Sequence, residues 1–246
     1  MINFYSSMPK KYTSKQRTYT NYKEVHISIP TRIALIGSSG SGKSNILINL
    51  IYKMNCFTKI YMFVKCPDEP LYKFFIDKIR EVEKKFKTEI LMVSTELDDL
   101  PNVDEFDREE NNLCIFDDVI SESNMKLKKV ADLWIRGRKQ NITSVFLSQN
   151  YHAIPILVRK NTDILMFKRI GTKRDLTMIL SDFTLDKTID QLKEMYTKSN
   201  TSDICNFFMI DTSPGNEKKW MYRKNFTPFD DLTGKENDEK KIKKII

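Results

Sequence analysis

Residues 37–44 read Gly-Ser-Ser-Gly-Ser-Gly-Lys-Ser, directly after the apolar run Arg32-Ile-Ala-Leu-Ile36. The chain has only seven glycines, and Gly37, Gly40 and Gly42 all fall in this loop. A loop that turns its backbone N–H groups inward around a phosphate needs dihedrals and close approaches that a Cβ obstructs. The expected cradle comprises Gly37, Ser38, Ser39, Gly40, Ser41, Gly42, Lys43, Ser44 and Asn45. Within it Lys43 reaches the outer phosphates, and the Ser44 hydroxyl helps to hold Mg²⁺. Apolar residues at helical spacing over Asn45–Lys53 predict a helix that opens on the loop, and a helix N-terminus favours anions. Strand, loop and helix together turn an eight-residue pattern into a candidate nucleotide site.

A chain of 246 residues accommodates one substantial α/β domain, and 40% hydrophobic residues can supply its core. No uncharged apolar run reaches the ~18 residues of a membrane span, and the N-terminus lacks the apolar stretch of a signal peptide. Cys56, Cys66, Cys114 and Cys205 show no paired metal-ligand spacing and read as reduced cytosolic thiols. His26 and His152 are too few for a histidine metal site. The net charge of +8 suits a polyanionic partner, although many basic proteins have no such partner. Residues 1–28 read as a basic arm, 29–232 as one nucleotide-binding domain, and 233–246 as a charged tail.

Five short runs rich in β-branched residues predict strands: Ile33–Ile36, Ile60–Val64, Ile90–Val93, Leu113–Phe116 and Ser144–Leu147. Amphipathic segments at Leu71–Phe86 and Met125–Trp134 alternate with them, which predicts a largely parallel, doubly wound sheet. From about residue 163 the pattern changes to a C-terminal extension on the same core. There Ile164–Phe167 reads as a strand, Arg174–Leu180 and Leu185–Tyr196 as helices, and Cys205–Ile210 with Lys219–Tyr222 as a hairpin around Ser213-Pro-Gly-Asn216.

Leu113-Cys-Ile-Phe-Asp-Asp118 is an apolar strand that ends in two carboxylates. Beside a phosphate loop, Asp117 suits Mg²⁺ and Asp118 suits the proton of an attacking water. One of the two strands between loop and acid pair, Ile60–Val64 or Ile90–Val93, is expected to lie between the two motif strands. Gln149, at the end of Val145-Phe-Leu-Ser-Gln-Asn150, reads as a γ-phosphate sensor or as a simple strand-end cap. In Trp134-Ile-Arg-Gly-Arg-Lys-Gln-Asn-Ile142, Arg138 and Arg136 are candidates for an arginine supplied to a neighbouring subunit. Taken alone, they read equally well as a solvated basic turn.

Phosphate loop, acid pair, Arg-Gly-Arg-Lys-x-x-Ile-Thr and Leu-Ser-Gln follow one another in the order found in the FtsK–HerA superfamily of DNA-pumping ATPases, which this chain resembles over roughly residues 30–170. The likeness is to the genome-packaging ATPases of nucleocytoplasmic large DNA viruses and their virophages, the poxvirus type and the Sputnik-like virophage type included. It implies a RecA-like P-loop NTPase with a mostly parallel sheet, helices on both faces, and an extra strand between the Walker A and Walker B strands. It assigns Lys43 and Ser44 to ATP and Mg²⁺, Asp117 to the metal, Asp118 to the base role, Gln149 to sensing and Arg138 to the trans finger. Two departures stand out: many relatives carry Glu where this chain has Asp118, and Arg-His where it has Arg138-Lys139.

The resemblance further implies a ring, as a hexamer, around double-stranded DNA. It implies capsid-vertex partners and a location in the cytoplasmic viral factory and the virion. Met125-Lys-Leu-Lys-Lys129 and the cluster of Lys168, Arg169, Lys173 and Arg174 are then either DNA contacts, solvated helix faces or subunit contacts. The same hydrolytic parts also serve a ring ATPase that remodels protein. A small-molecule kinase and a non-hydrolysing nucleotide-binding module complete the alternatives.

Overall fold

The computed structural model describes residues 19–200 and 203–230. Its central feature is one nine-stranded sheet. The strands are β1 (Arg32–Ile36), β2 (Lys59–Val64), β3 (Leu91–Ser94), β4 (Asn112–Asp117), β5 (Ile142–Ser148), β6 (Ile164–Phe167), β7 (Phe208–Asp211), β8 (Tyr222–Lys224) and β9 (Thr227–Pro228). Their order across the sheet is β3-β2-β4-β5-β1-β6-β7-β8-β9. Pairing is parallel from β3 to β6, and antiparallel from β6 to β9. The parallel strands are continuously apolar because both of their faces are covered. In β4, Leu113 and Ile115 face one core while Cys114 and Phe116 face the other.

The helices are α1 (Tyr22–Val25), α2 (Lys43–Met54), α3 (Pro70–Phe86), α4 (Asn124–Arg136), α5 (Ile156–Lys160), α6 (Lys173–Ser181) and α7 (Ile189–Ser199). Ile46, Leu47 and Leu50 of α2 and Phe75 of α3 pack on one face of the sheet. Val130 and Trp134 of α4, Ile179 of α6 and Leu192 of α7 pack on the other. None of these helices is long and apolar enough to cross a membrane.

All five predicted strands form, within two residues of their expected ends. One expectation about their order is corrected. The strand between the Walker A strand β1 and the Walker B strand β4 is β5, not β2 or β3. Apolar patterning reports that a strand is buried but not which neighbours it takes, so β5 was legible as a strand and not as the insert. The C-terminal extension also shifts. α7 starts at Ile189 because Thr188 and Gln191 form a capping box there. Lys218–Trp220 make a 3₁₀ turn, so the return strand of the hairpin begins only at Tyr222.

Residues 1–18 of the expected basic arm, and the expected tail at 233–246, lie outside the described residues. Residues 19–28 of that arm belong to the folded body, where Val25 and Ile27 are fully buried. A buried ion pair ties this segment to the extension. Arg223, fully buried, donates to Asp211 and to the Val25 carbonyl at 2.8 Å. Removing the guanidinium strands a carboxylate and a carbonyl in the interior. Arg223→Met is therefore expected to lower unfolding free energy by about 3–5 kcal/mol, and Arg223→Met with Asp211→Asn to recover part of that loss. Urea unfolding of the two variants beside the parent chain measures both effects.

Candidate active site

The phosphate loop is fixed at its base by the strands on either side of β1. Gly37 N donates to the Ser148 carbonyl of β5 at 3.2 Å. On the other flank Lys168 N donates to the Ile36 carbonyl at 2.7 Å, and Ser38 N to the Arg169 carbonyl at 2.9 Å. The chain then turns through Gly40 at φ +67° and Gly42 at φ +93°, and Gly42 caps α2. These are left-handed conformations that side chains with a Cβ rarely adopt. The loop thus leaves the carboxyl edge of the sheet and feeds a helix N-terminus, the geometry that collects anions.

A cavity of about 290 Å³ opens at this edge. The loop lines it through Ser39, Gly40, Gly42, Lys43, Ser44 and Asn45. Asp117 and Asp118 enter from the end of β4, and Gln149 from the end of β5. The sequence-predicted cradle, acid pair and sensor therefore converge on one space. Lys43 Nζ donates to the Gly37 and Ser38 carbonyls, at 3.0 and 3.2 Å. Burial pushes its ammonium below the ordinary lysine value, while the charges of Asp117, Asp118 and Glu69 pull it back. Burial likewise raises the Asp117 carboxyl. The hydrogen bond from Tyr72 and the charge of Lys43 oppose that rise, and the charge of Asp118 adds to it.

Three neighbours of the site were not singled out in the sequence. Tyr72 Oη donates to Asp117 Oδ2 at 2.5 Å. Glu69, directly before α3, brings a further carboxylate to the cavity, and Ile204 closes it over Gly42. One signal pointed to Glu69 and Tyr72: both follow β2, and sites in parallel sheets gather residues just beyond the carboxyl ends of adjacent strands. Ile204 gave no such signal. It is held there by Lys168, whose Nζ donates to the carbonyls of Asp203, Ile204 and Asn206 at 3.3, 2.9 and 2.5 Å.

Arg136 and Arg138 stand elsewhere. Both precede β5, at the amino edge of the sheet. The five residues of β1, at ~3.3 Å each, put the two edges roughly 16 Å apart. Arg136 is gripped by Asp104 at 2.8 Å and Asp132 at 3.0 Å. Arg138 is more loosely placed: it is half-exposed and lies 3.7 Å from Asp163, a carboxylate already bonded twice by Arg32. Neither arginine reaches the cavity of its own chain. One basic candidate is also corrected as a surface contact: Lys168 is buried under the 203–206 segment. Lys126 stays partly exposed and is paired with Asp98, Glu122 and Glu96. Lys128, Arg169, Lys173 and Arg174 are exposed.

The residues fit a nucleoside triphosphate with a hard cation. The loop turns through left-handed glycines into a helix N-terminus, whose first N–H groups have no helical partner, and Ser44 and Asp117 offer oxygens. Among the described residues no cluster of three or more His, Cys, Asp or Glu is placed to hold a metal. A hydroxyl with one carboxylate suits an ion that keeps phosphate and water oxygens as its other ligands. A Cβ on Gly42 would lie 2.5 Å from Ile204 Cγ1, whereas one on Gly40 meets nothing within 4 Å. Gly42→Ala is therefore expected to weaken binding of a fluorescent ATP analogue more than Gly40→Ala, by about 10-fold for ~1.4 kcal/mol of added strain. Equal losses in the titration would contradict the part given to Ile204.

The Poxvirus A32 protein family matches the chain over residues 20–217. No curated protein sequence matches it significantly. Among solved structures, the DNA-packaging ATPase B204 of Sulfolobus turreted icosahedral virus superposes with a TM-score of 0.54 at 13% identity, covering 80% of this chain and 97% of that one. The genome packaging NTPase B204 of Sulfolobus turreted icosahedral virus 2, in complex with AMP, gives 0.50 at 14% identity, with 79% and 96% covered. The same protein with AMPPCP gives 0.50 at 12%, again over 79% and 96%. At such identities these likenesses establish the fold. The family match covers well over half of the chain, and on that ground the chain belongs to the Poxvirus A32 protein family, the poxvirus-type packaging ATPases.

Proposed function

We propose that this ATPase is a double-stranded DNA translocase that packages a viral genome, acting as a ring of copies, a hexamer, in which each nucleotide site is completed by its neighbour. The observation that carries this reading is the polarity of the sheet. Lys43, Asp117, Asp118 and Gln149 gather at its carboxyl edge, and Arg138 stands at its amino edge. A head-to-tail ring brings the second edge of one copy against the first edge of the next. An arginine useless to its own site then becomes useful to another. Arg138 suits that part better than Arg136, whose two carboxylate partners hold it to its own surface.

In this reading the N–H groups of Gly40, Gly42, Lys43 and Ser44 hold the phosphates, and the Lys43 ammonium moves from the Gly37 and Ser38 carbonyls to the outer phosphate oxygens. Held by Ser44 and Asp117, Mg²⁺ would neutralise charge on those oxygens. Asp118 takes a proton from the attacking water, and Gln149 orients that water through its amide. Glu69 lines the same cavity and is the competing base. The neighbour's Arg138 stabilises the charge that builds on the transferred phosphoryl group. Cycles of hydrolysis then move basic surface along the DNA backbone, with Lys128, Arg169, Lys173 and Arg174 as candidate contacts. Contacts of that kind do not depend on sequence and weaken with salt. Capsid-vertex proteins would anchor the ring, in the viral factory and in the virion.

ATP turnover by the full chain is expected to rise on adding duplex DNA of any sequence, and the rise should shrink between 50 and 200 mM salt. Stimulation by unfolded protein instead of DNA would favour protein remodelling, and bound ATP with no turnover would favour a non-hydrolysing module. Asp118→Asn should keep ATP affinity and lose about 100-fold in turnover. If Glu69→Gln shows that loss and Asp118→Asn does not, the base is Glu69.

A further inference from the structure

Tyr72 belongs to no motif read in the sequence, yet it grips the acid strand of the site. It lies in the first turn of α3, and only 2% of it is exposed. The fold delivers it there for a simple reason. β2 runs beside β4 with Val64 opposite Asp117, and α3 begins soon after that register point. The Tyr72 hydroxyl donates to Asp117 Oδ2 at 2.5 Å, and the Ser44 side chain of the phosphate loop lies next to it.

The direction of this bond follows from counting protons. A phenol has one O–H to give, whereas an ionised carboxylate only accepts. The tyrosine proton is therefore committed to Asp117 Oδ2, and Asp117 keeps its second oxygen. That oxygen is an acceptor whose position is fixed before anything binds, and hard divalent cations take such oxygens.

We propose that Tyr72 is a positioning residue that fixes the Asp117 carboxylate, beside the Ser44 hydroxyl, as an oxygen ligand for a divalent cation. The inference rests on the reading of Ser44 and Asp117 as the cation side of the nucleotide site. Tyr72 acts through Asp117 and contacts no reacting atom itself. Groups that orient metal ligands in this way typically change metal affinity ~10–100-fold when removed. The competing role is packing, because the ring lies among the apolar residues beneath α2 and α3. Tyr72→Phe separates the two, since it keeps the ring and deletes the hydrogen bond to Asp117.

The test uses the full chain as parent, Tyr72→Phe and Asp117→Asn. Binding of a fluorescent non-hydrolysable ATP analogue is titrated in EDTA and across MgCl₂, and thermal melting is recorded. For Tyr72→Phe the expected result is parent-like affinity in EDTA and about 10-fold more Mg²⁺ for half of the metal-dependent gain. Asp117→Asn should lose more of that gain. If Tyr72→Phe titrates like the parent while Asp117→Asn does not, the part given to Tyr72 is overturned and the cation site stands. Equal weakening with and without Mg²⁺, together with a lower melting temperature, would make Tyr72 a packing residue and overturn it as well. If both variants match the parent, the cation-site reading fails and this inference with it.

Discussion

The position of β1 between β5 and β6 is the constraint on which the rest of the molecule depends. A phosphate loop is a strained piece of backbone, and strain persists only where the surroundings enforce it. Here three main-chain bonds do so, from Gly37 to β5, from Lys168 to the end of β1, and from Ser38 to Arg169. The same placement decides what the loop faces. With β5 beside β1 and β4 beyond it, Gln149 and the acid pair arrive at the loop from consecutive strand ends.

That arrangement gives the domain two unlike edges. At the carboxyl edge are the cradle, the carboxylates and Tyr72, bonded to Asp117. At the amino edge, Asp163 is held by Arg32 and lies within ion-pair reach of Arg138. In the proposed ring, an arginine so far from the phosphates of its own chain serves the site of the neighbour. The antiparallel extension serves the carboxyl edge. Lys168 spends its ammonium on three carbonyls, and so fixes Ile204 against Gly42. A residue that looked like a contact for DNA is in fact a strut of the nucleotide site.

Much of this was legible in the sequence. The loop announced itself by three glycines in a glycine-poor chain, and the strands by apolar runs that need cover on both faces. Asp117, Asp118 and Gln149 were readable because each ends such a run. What escaped depends on non-local pairing. Nothing local tells β5 to insert beside β1, and nothing in a helical stretch such as Leu71–Phe86 marks Tyr72 as different from Phe75. Lys168 and Arg223 are charged residues that local pattern assigns to the surface. Both are buried because tertiary partners, three carbonyls in one case and Asp211 in the other, accept their protons. The pairing of Lys126 with Asp98 and Glu96 is equally long-range.

The central claim is that a site built at one edge is completed by the opposite edge of a neighbour. Mixing two inactive variants tests it most directly. Arg138→Ala keeps an intact acid pair, and Asp118→Asn keeps an intact arginine, so a mixed ring contains some interfaces with both. DNA-stimulated ATP turnover of the mixture should exceed the sum of the separately measured variants. Turnover no higher than that sum, or an Arg138→Ala chain as active as the parent, would contradict the account.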